Sequence, residues 1–304
     1  MRPLPRLEIL ASPVKAGAVV SKIELGLMPE WDLSDLYAGP AAPQITADIT
    51  AAGEEAKRMK AAYQGKLADL AKDGGKLAVA VKDYEKLSDT MGKLGSYAGL
   101  YYAQNQSDPA RAKFYGDVSE ALTRISTDLI FFELELNQID DAVLDAAIAH
   151  KDLARYKPWF DDLRKEKPHQ LDEKIETLFT EKSQTGRAAW TRLFNETMSS
   201  LRFDVEGEKE PLSLEPTLNL MTDPAEPRRR AGSEALAKAF KANLPLFTLI
   251  TNTLAKDKEI SDRWRHFKDV ADSRHLANRV EAPVVDALVS SVRAAYPRLS
   301  HRYY

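Results

Sequence analysis

The 304-residue sequence contains no cysteine and only 14 glycines. The absence of cysteine excludes disulfides, thiol nucleophiles and cysteine-ligated zinc, and it favours a reducing compartment. The scarcity of glycine disfavours a turn-rich all-β fold. No run of about 18 consecutive apolar residues occurs, so we expect no transmembrane helix. The apolar stretch at residues 16–20 is too short for a signal peptide, and we expect a cytoplasmic protein without a membrane partner.

The sequence also lacks an excess of charge of either sign. It has 43 basic and 46 acidic residues and a formal net charge of −3, so we expect no nucleic-acid partner. The densest basic cluster is Arg228–Arg230, in the predicted first turns of a helix, where positive charge opposes the helix dipole. Two interpretations are an anionic partner, such as a peptide carboxylate, and pairing with nearby acids such as Glu226 or Glu234. We favour the pairing.

Apolar residues recur every three or four positions over most of the chain, which predicts amphipathic helices. The first predicted helix runs from Ile45 to Leu70 and the second from Lys76 to Tyr101. Asp108 followed by Pro109 predicts the start of a third, with the aspartate as N-cap. Because short turns join these three helices, we expect an antiparallel hairpin bundle.

Later segments predict more helices and one short β-hairpin. Residues 141–166 form shorter helices interrupted at Pro158, and a long helix runs from Pro168 to about Leu201. Alternating residues predict the hairpin near 203–214. A further helix spans residues 225–264 with a bend near Pro245, and the last begins near residue 282. The predicted fold class is all-α, with a flexible arm at 1–30, a helical lobe at 31–201 and a second, truncated lobe at 202–304.

Residues for catalysis are not apparent in short-range patterns. The five histidines are His150, His169, His266, His275 and His301. No two of them are three or four residues apart and none precedes glutamate, so no short zinc motif exists. No nucleophile elbow, phosphate loop or dinucleotide fingerprint occurs either. We interpret the acid pairs Asp161–Asp162 and Glu133–Glu135 as solvated helix faces, and Tyr97, Tyr101 and Tyr102 as core residues.

Four segments, in this order, carry a resemblance to a known family. They are Trp-Asp-Leu-Ser-Asp-Leu-Tyr at 31–37, Tyr-Ala-Gly-Leu-Tyr-Tyr at 97–102, Phe-Phe-Glu-Leu-Glu-Leu at 131–136, and a long stretch from 253 to 304. Together they resemble oligoendopeptidase F, in the thimet-oligopeptidase-like family of zinc metallopeptidases. Each motif alone is weak, and it is their order and spacing that make the resemblance specific.

The resemblance implies a helical protein of two lobes around a deep channel that admits only short peptides. It also implies zinc, held by a His-Glu-x-x-His helix and a downstream glutamate, with the motif glutamate as general base. Because no such helix occurs in these 304 residues, we assign no catalytic, cofactor-binding or metal residue here. We predict the N-terminal half of a zinc metalloendopeptidase, inactive alone, whose partners are short peptides and the missing C-terminal catalytic half. The alternative is a non-catalytic helical interaction scaffold.

Overall fold

Helices make up nearly all the regular structure of residues 31–304, the part of the chain that the computed structural model describes. The predicted arm at 1–30 lies outside these residues. No helix among the described residues is long and apolar enough to cross a membrane. The α-helices are α1 (Pro43–Tyr63), α2 (Leu67–Leu70), α3 (Gly74–Ala103), α4 (Pro109–Thr127), α5 (Ile130–Gln138), α6 (Asp141–Ile148), α7 (Lys157–Glu166), α8 (Glu173–Ser183), α9 (Arg187–Ser200), α10 (Leu214–Asn219), α11 (Glu226–Ala242), α12 (Leu244–Trp264), α13 (Asp272–Ala277), α14 (Ala282–Ala295) and α15 (Ser300–Tyr303).

The predicted helical bundle is present, and α1, α3 and α4 pack against one another. Side chains fix where two of these helices begin. Asp73 accepts hydrogen bonds from the backbone N–H groups of Gly75 and Lys76 at the start of α3, at 3.0 and 3.3 Å. Asp108 does the same at the start of α4, where the Ala110 N–H lies 2.8 Å from its Oδ1. Both caps satisfy donors that the first helical turn leaves free.

Four of the predicted helices are each divided in two. The third, predicted to run from Pro109 through Leu136, ends at Thr127, and α5 begins at Ile130. α1 ends at Tyr63 rather than Leu70 because Gly65 turns the chain with φ of 75°. The predicted helix 168–201 is split at Gly186, whose N–H closes a turn onto the Lys182 carbonyl at 2.8 Å. Pro245 does not bend a single helix; it lies in the first turn of α12, where its missing N–H is not needed.

The β-hairpin near 203–214 is not supported as a pair of strands. Phe203 and Leu212 exchange two backbone hydrogen bonds, of 2.8 and 2.9 Å, in one isolated antiparallel bridge. Gly207 reverses the chain between them with φ of 89°. Pro211 lacks the N–H that a longer ladder would use. Phe203 is nevertheless fully buried and packs with residues of α11.

The main core lies among α1, α3, α5, α6 and α7, and a second cluster lies under the start of α1. The second cluster contains Tyr97, whose ring meets the edge of Tyr37 with centroids 5.3 Å apart. Tyr97 and Tyr102 are both buried, so their interpretation as core residues is confirmed. Tyr101 is only half-buried, at the edge of this cluster, so that interpretation does not hold for it. The whole of residues 33–304 forms one compact unit.

Candidate functional site

A cavity of about 420 Å³ lies where α5, α7 and α8 meet the residues that follow α12. It combines acidic, cationic and aromatic side chains from four parts of the chain. These are Glu133 from α5, Glu166 from α7, Glu176 from α8, and Arg265 with Phe267 after α12. We call it the Arg265 cavity.

Arg265 is held by two hydrogen bonds to one carboxylate. Its Nη1 and Nη2 each lie 2.7 Å from an oxygen of Glu176, in the bidentate geometry that suits a guanidinium. Nη1 also reaches the backbone carbonyl of His169 at 3.2 Å. These contacts to Glu176 raise the pKa of Arg265. Because both side chains are largely buried, the pair anchors the chain after α12 to α8.

His169 contributes the other half of this connection. Its ring stacks on Phe267 with centroids 3.8 Å apart, and its Nδ1 lies 2.8 Å from the carbonyl oxygen of Arg265. Because a carbonyl oxygen can only accept, Nδ1 carries a hydrogen and donates this bond. His169 therefore positions the Arg265 segment.

Two carboxyl groups of the Arg265 cavity hold their protons more tightly than usual. Burial raises the pKa of Glu133, the hydroxyl of Tyr84 at 3.0 Å opposes the rise, and the charge of Glu166 adds to it. Burial also raises the pKa of Glu166, against the charge of Arg265. The charge of Arg265, which is paired with Glu176, therefore only partly offsets the effect of burial on Glu166.

The Arg265 cavity is not apparent in the sequence, where Glu133 and Glu135 are both interpreted as part of a solvated helix face. Glu135 instead accepts a hydrogen bond of 2.6 Å from the backbone N–H of Gly65, so it stabilises the turn after α1. Glu133 is half-buried and accepts a hydrogen bond from Tyr84, whose ring stacks on Phe132. The available signal was the apolar run that surrounds Glu133.

The basic cluster Arg228–Arg230 lies in the first turns of α11, as predicted, and the pairing interpretation is confirmed. Arg228 contacts Glu208 at 2.9 Å and Asp223 at 3.0 Å. Arg229 donates to the carbonyl oxygen of Asp223 at 2.7 Å. Arg230 pairs with Glu226, one of the two acids predicted. The helix-start charges are thus compensated locally.

The five histidines do not assemble into a metal site within residues 31–304. No group of three or more His, Cys, Asp or Glu side chains there could hold a metal ion. His150 accepts a hydrogen bond of 3.3 Å from the backbone N–H of Asp152, and His301 lies beside the ring of Tyr296. That the zinc ligands belong to another part of a longer protein stays a prediction.

Known proteins that resemble this chain are oligopeptidases. The family model described as oligopeptidase F matches residues 135–203. The oligopeptidase PepF of Bacillus subtilis is 23% identical over 301 residues, which is 97% of this chain and 44% of that protein. The group B oligopeptidase PepB of Streptococcus agalactiae is 22% identical over 280 residues, 90% of this chain and 45% of that protein. The chain resembles the N-terminal region of oligoendopeptidase F.

A solved structure supports the same fold. The oligoendopeptidase-F of Enterococcus faecium superposes with a TM-score of 0.75 at 19% identity, over 86% of this chain and 51% of that one. The all-α fold is therefore shared with this oligoendopeptidase-F. The chain spans about half the length of the relatives it matches.

Proposed function

We propose that this chain is the N-terminal half of a zinc metalloendopeptidase that hydrolyses short peptides. The observation that carries the proposal is the similarity of nearly the whole chain to oligopeptidases about twice as long. The helical fold shared with an oligoendopeptidase-F supports it. In the longer protein, residues 31–201 would form one lobe and one wall of the substrate channel. Residues 202–304 would begin the catalytic lobe.

The chemistry is proposed to belong to the other half. The described residues offer zinc no ligand set, so the metal does not fit this part of the chain. We therefore assign no step of hydrolysis to these residues, and the chain alone is expected to be inactive. Its partners would be short peptides and the C-terminal catalytic half, in the cytoplasm. Its contribution would be to limit substrate length and to position peptides.

The test compares two proteins: the 304-residue chain and a longer protein that contains it together with a His-Glu-x-x-His half. Both are assayed with a quenched fluorescent peptide, and the metal content of both is measured. We expect turnover and zinc only in the longer protein, and loss of that turnover on chelation. Chelator-sensitive turnover by the 304-residue chain would overturn the assignment. A longer protein that neither binds zinc nor cleaves peptides would favour the interaction scaffold instead.

A further inference from the structure

A second and larger cavity, of about 490 Å³, lies between the pair α3–α4 and the pair α8–α9. We call it the α3–α9 cleft. One face of α9 lines it, with residues at the helical spacing of one stripe. The opposite wall consists of residues of α3 and α4. The lining residues used below are Gly99, Tyr102, Gly116, Arg187, Arg192 and Asn195.

Hydrogen bonds hold the two walls together on either side of the α3–α9 cleft. The Gln184 side chain donates to the Thr123 hydroxyl at 2.7 Å, which joins the residue after α8 to α4. The hydroxyl of Ser107, just before α4, lies 3.2 Å from that of Ser199 near the end of α9. Because the walls are tied at both places, the space between them is preformed. A ligand would not have to separate helices to enter it.

One buried polar group in the wall of the α3–α9 cleft has no partner among the described residues. Tyr102 is 5% exposed and its ring stacks on Tyr115, but its buried hydroxyl has no hydrogen-bond partner in residues 31–304. A buried polar group in that condition is costly. Burial raises the pKa of Tyr102, the charge of Glu196 adds to the rise and that of Arg192 opposes it, so this hydroxyl faces α9.

Two guanidinium groups give the α3–α9 cleft a positive rim. Arg187 makes no ion pair or hydrogen bond with any described side chain, and the nearest carboxylate to Arg192 is that of Glu196 at 3.8 Å. These two arginines therefore differ from Arg228, Arg230 and Arg265, which acids hold closely. Guanidinium groups bind carboxylates through paired, charge-assisted hydrogen bonds.

Two glycines leave space beside the helices in the α3 and α4 wall. A Cβ built on Gly99 would meet nothing within 4 Å, and one on Gly116 would come no closer than 4.0 Å, to Nη1 of Arg192. Neither glycine has a positive φ. Glycine inside a helix is less stabilising than alanine. Arg192 lies over Gly116, whereas the space beside Gly99 is open and belongs to the cleft.

We propose that the α3–α9 cleft binds the C-terminal carboxylate end of a short peptide. Arg187 and Arg192 would pair with the carboxylate, while Asn195 would bond with the peptide backbone. Only the choice of a peptide rests on the proposed function. The site would lie outside the chemistry of the catalytic half, and it would capture peptides by one end.

The test titrates the 304-residue chain with trialanine, followed by NMR, which also shows that the peptide stays intact. The free acid should bind, and trialanine amide should bind about tenfold more weakly or worse, since it lacks the charge. Arg187→Gln and Arg192→Gln should each weaken the binding of the trialanine free acid by a similar factor. Arg263→Gln, at an exposed arginine of α12 that pairs with Glu259, is the matched control and should change nothing.

Glycine-to-alanine variants distinguish an effect on ligand binding at the cleft wall from an effect on the stability of the fold. Gly99→Ala should raise the melting temperature and weaken trialanine binding. Gly92→Ala, in the same helix and likewise with nothing within 4 Å, should raise the melting temperature alone. Equal binding of the acid and the amide, or an unchanged affinity in Gly99→Ala, would overturn the proposal. Displacement of trialanine by an equal concentration of inorganic phosphate would reduce the cleft to a general anion site and overturn it too. Each result is independent of whether the longer protein hydrolyses peptides.

Discussion

At the scale of single residues, Glu133 combines features that usually exclude one another. It is a half-buried acid with the Tyr84 hydroxyl as its hydrogen-bond donor and a second acid, Glu166, nearby. Burial penalises the charged form, so the pKa of Glu133 is above its ordinary value of 4.5. The folded chain consequently holds a proton here that the unfolded chain releases at lower pH.

This shift predicts the pH dependence of a Glu133→Gln variant. As pH rises from 4.5 through the folded pKa, the unfolded state loses its proton first, so the wild-type chain loses stability. Glutamine keeps the neutral shape at every pH. The variant should therefore match the wild type near pH 4 and be more stable at pH 8, as measured by urea denaturation at both values.

The control is Glu259→Gln, because hydrogen bonds from Lys256 and Arg263 lower the pKa of that exposed glutamate. The pKa shift of Glu259 is opposite in direction to that of Glu133, so Glu259→Gln should be slightly less stable than the wild type at pH 8. If Glu133→Gln were no more stable than wild type at pH 8, the fold would not raise the pKa of Glu133.

Residue-level detail was the least predictable part of the molecule. The sequence indicates that Tyr97 and Tyr102 are core residues, because they recur at helical spacing with other apolar side chains. It does not indicate that the Glu133 side chain accepts a hydrogen bond from Tyr84, nor that Glu135, two residues further on, accepts one from the turn at Gly65. Those roles depend on Tyr84 and Gly65, which lie 49 and 70 residues away along the chain.

At the scale of elements, capping residues determine where helices begin. Asp108 accepts hydrogen bonds from the N–H groups of Ala110 and Arg111, and Pro109 occupies the first turn of α4. This pattern is local, and the sequence predicts it correctly. Breaks inside long apolar patterns are harder to predict, because both Tyr63 and Leu67 fit one helical stripe even though Gly65 turns the chain between them.

Replacing Asp108 with alanine should destabilise the chain by about 1 kcal/mol, since two N–H groups at the start of α4 lose their acceptor. Asp117→Ala is the matched control on the same helix. Asp117 pairs only with exposed Lys113, so its loss should cost less than about 0.5 kcal/mol. Chemical denaturation of the three proteins side by side measures both effects, and similar costs for the two variants would show that the cap contributes nothing.

At the scale of the whole molecule, the apolar residues are not all covered. α14 exposes Val284, Leu288, Val289 and Val292, with between 43% and 64% of each residue accessible. The helix is amphipathic, and the sequence predicts that this stripe packs against a partner. The all-α architecture follows from the same periodicity, whereas the positions of the two cavities depend on pairings between distant helices.

An uncovered stripe of this kind favours association. We expect the average mass of the 304-residue chain to rise above its 33.9 kDa with concentration in sedimentation experiments. The double variant Leu288→Lys and Val292→Lys should reduce this rise. Val270→Lys, at an isolated exposed residue outside α14, should leave it unchanged. A wild-type chain that stays at 33.9 kDa at every concentration would contradict the prediction.

The ion pair between Glu176 and Arg265 also affects the order in which parts of the nascent chain can form. The two residues are 89 positions apart, whereas the caps of α3 and α4 are completed within three positions. At translation rates of about 5–20 residues per second, Arg265 is made roughly 4–18 s after Glu176. During synthesis the α1–α7 core can therefore form first, and α8 waits with an unpaired carboxylate. The Arg265 cavity accordingly closes only after Arg265 has been made.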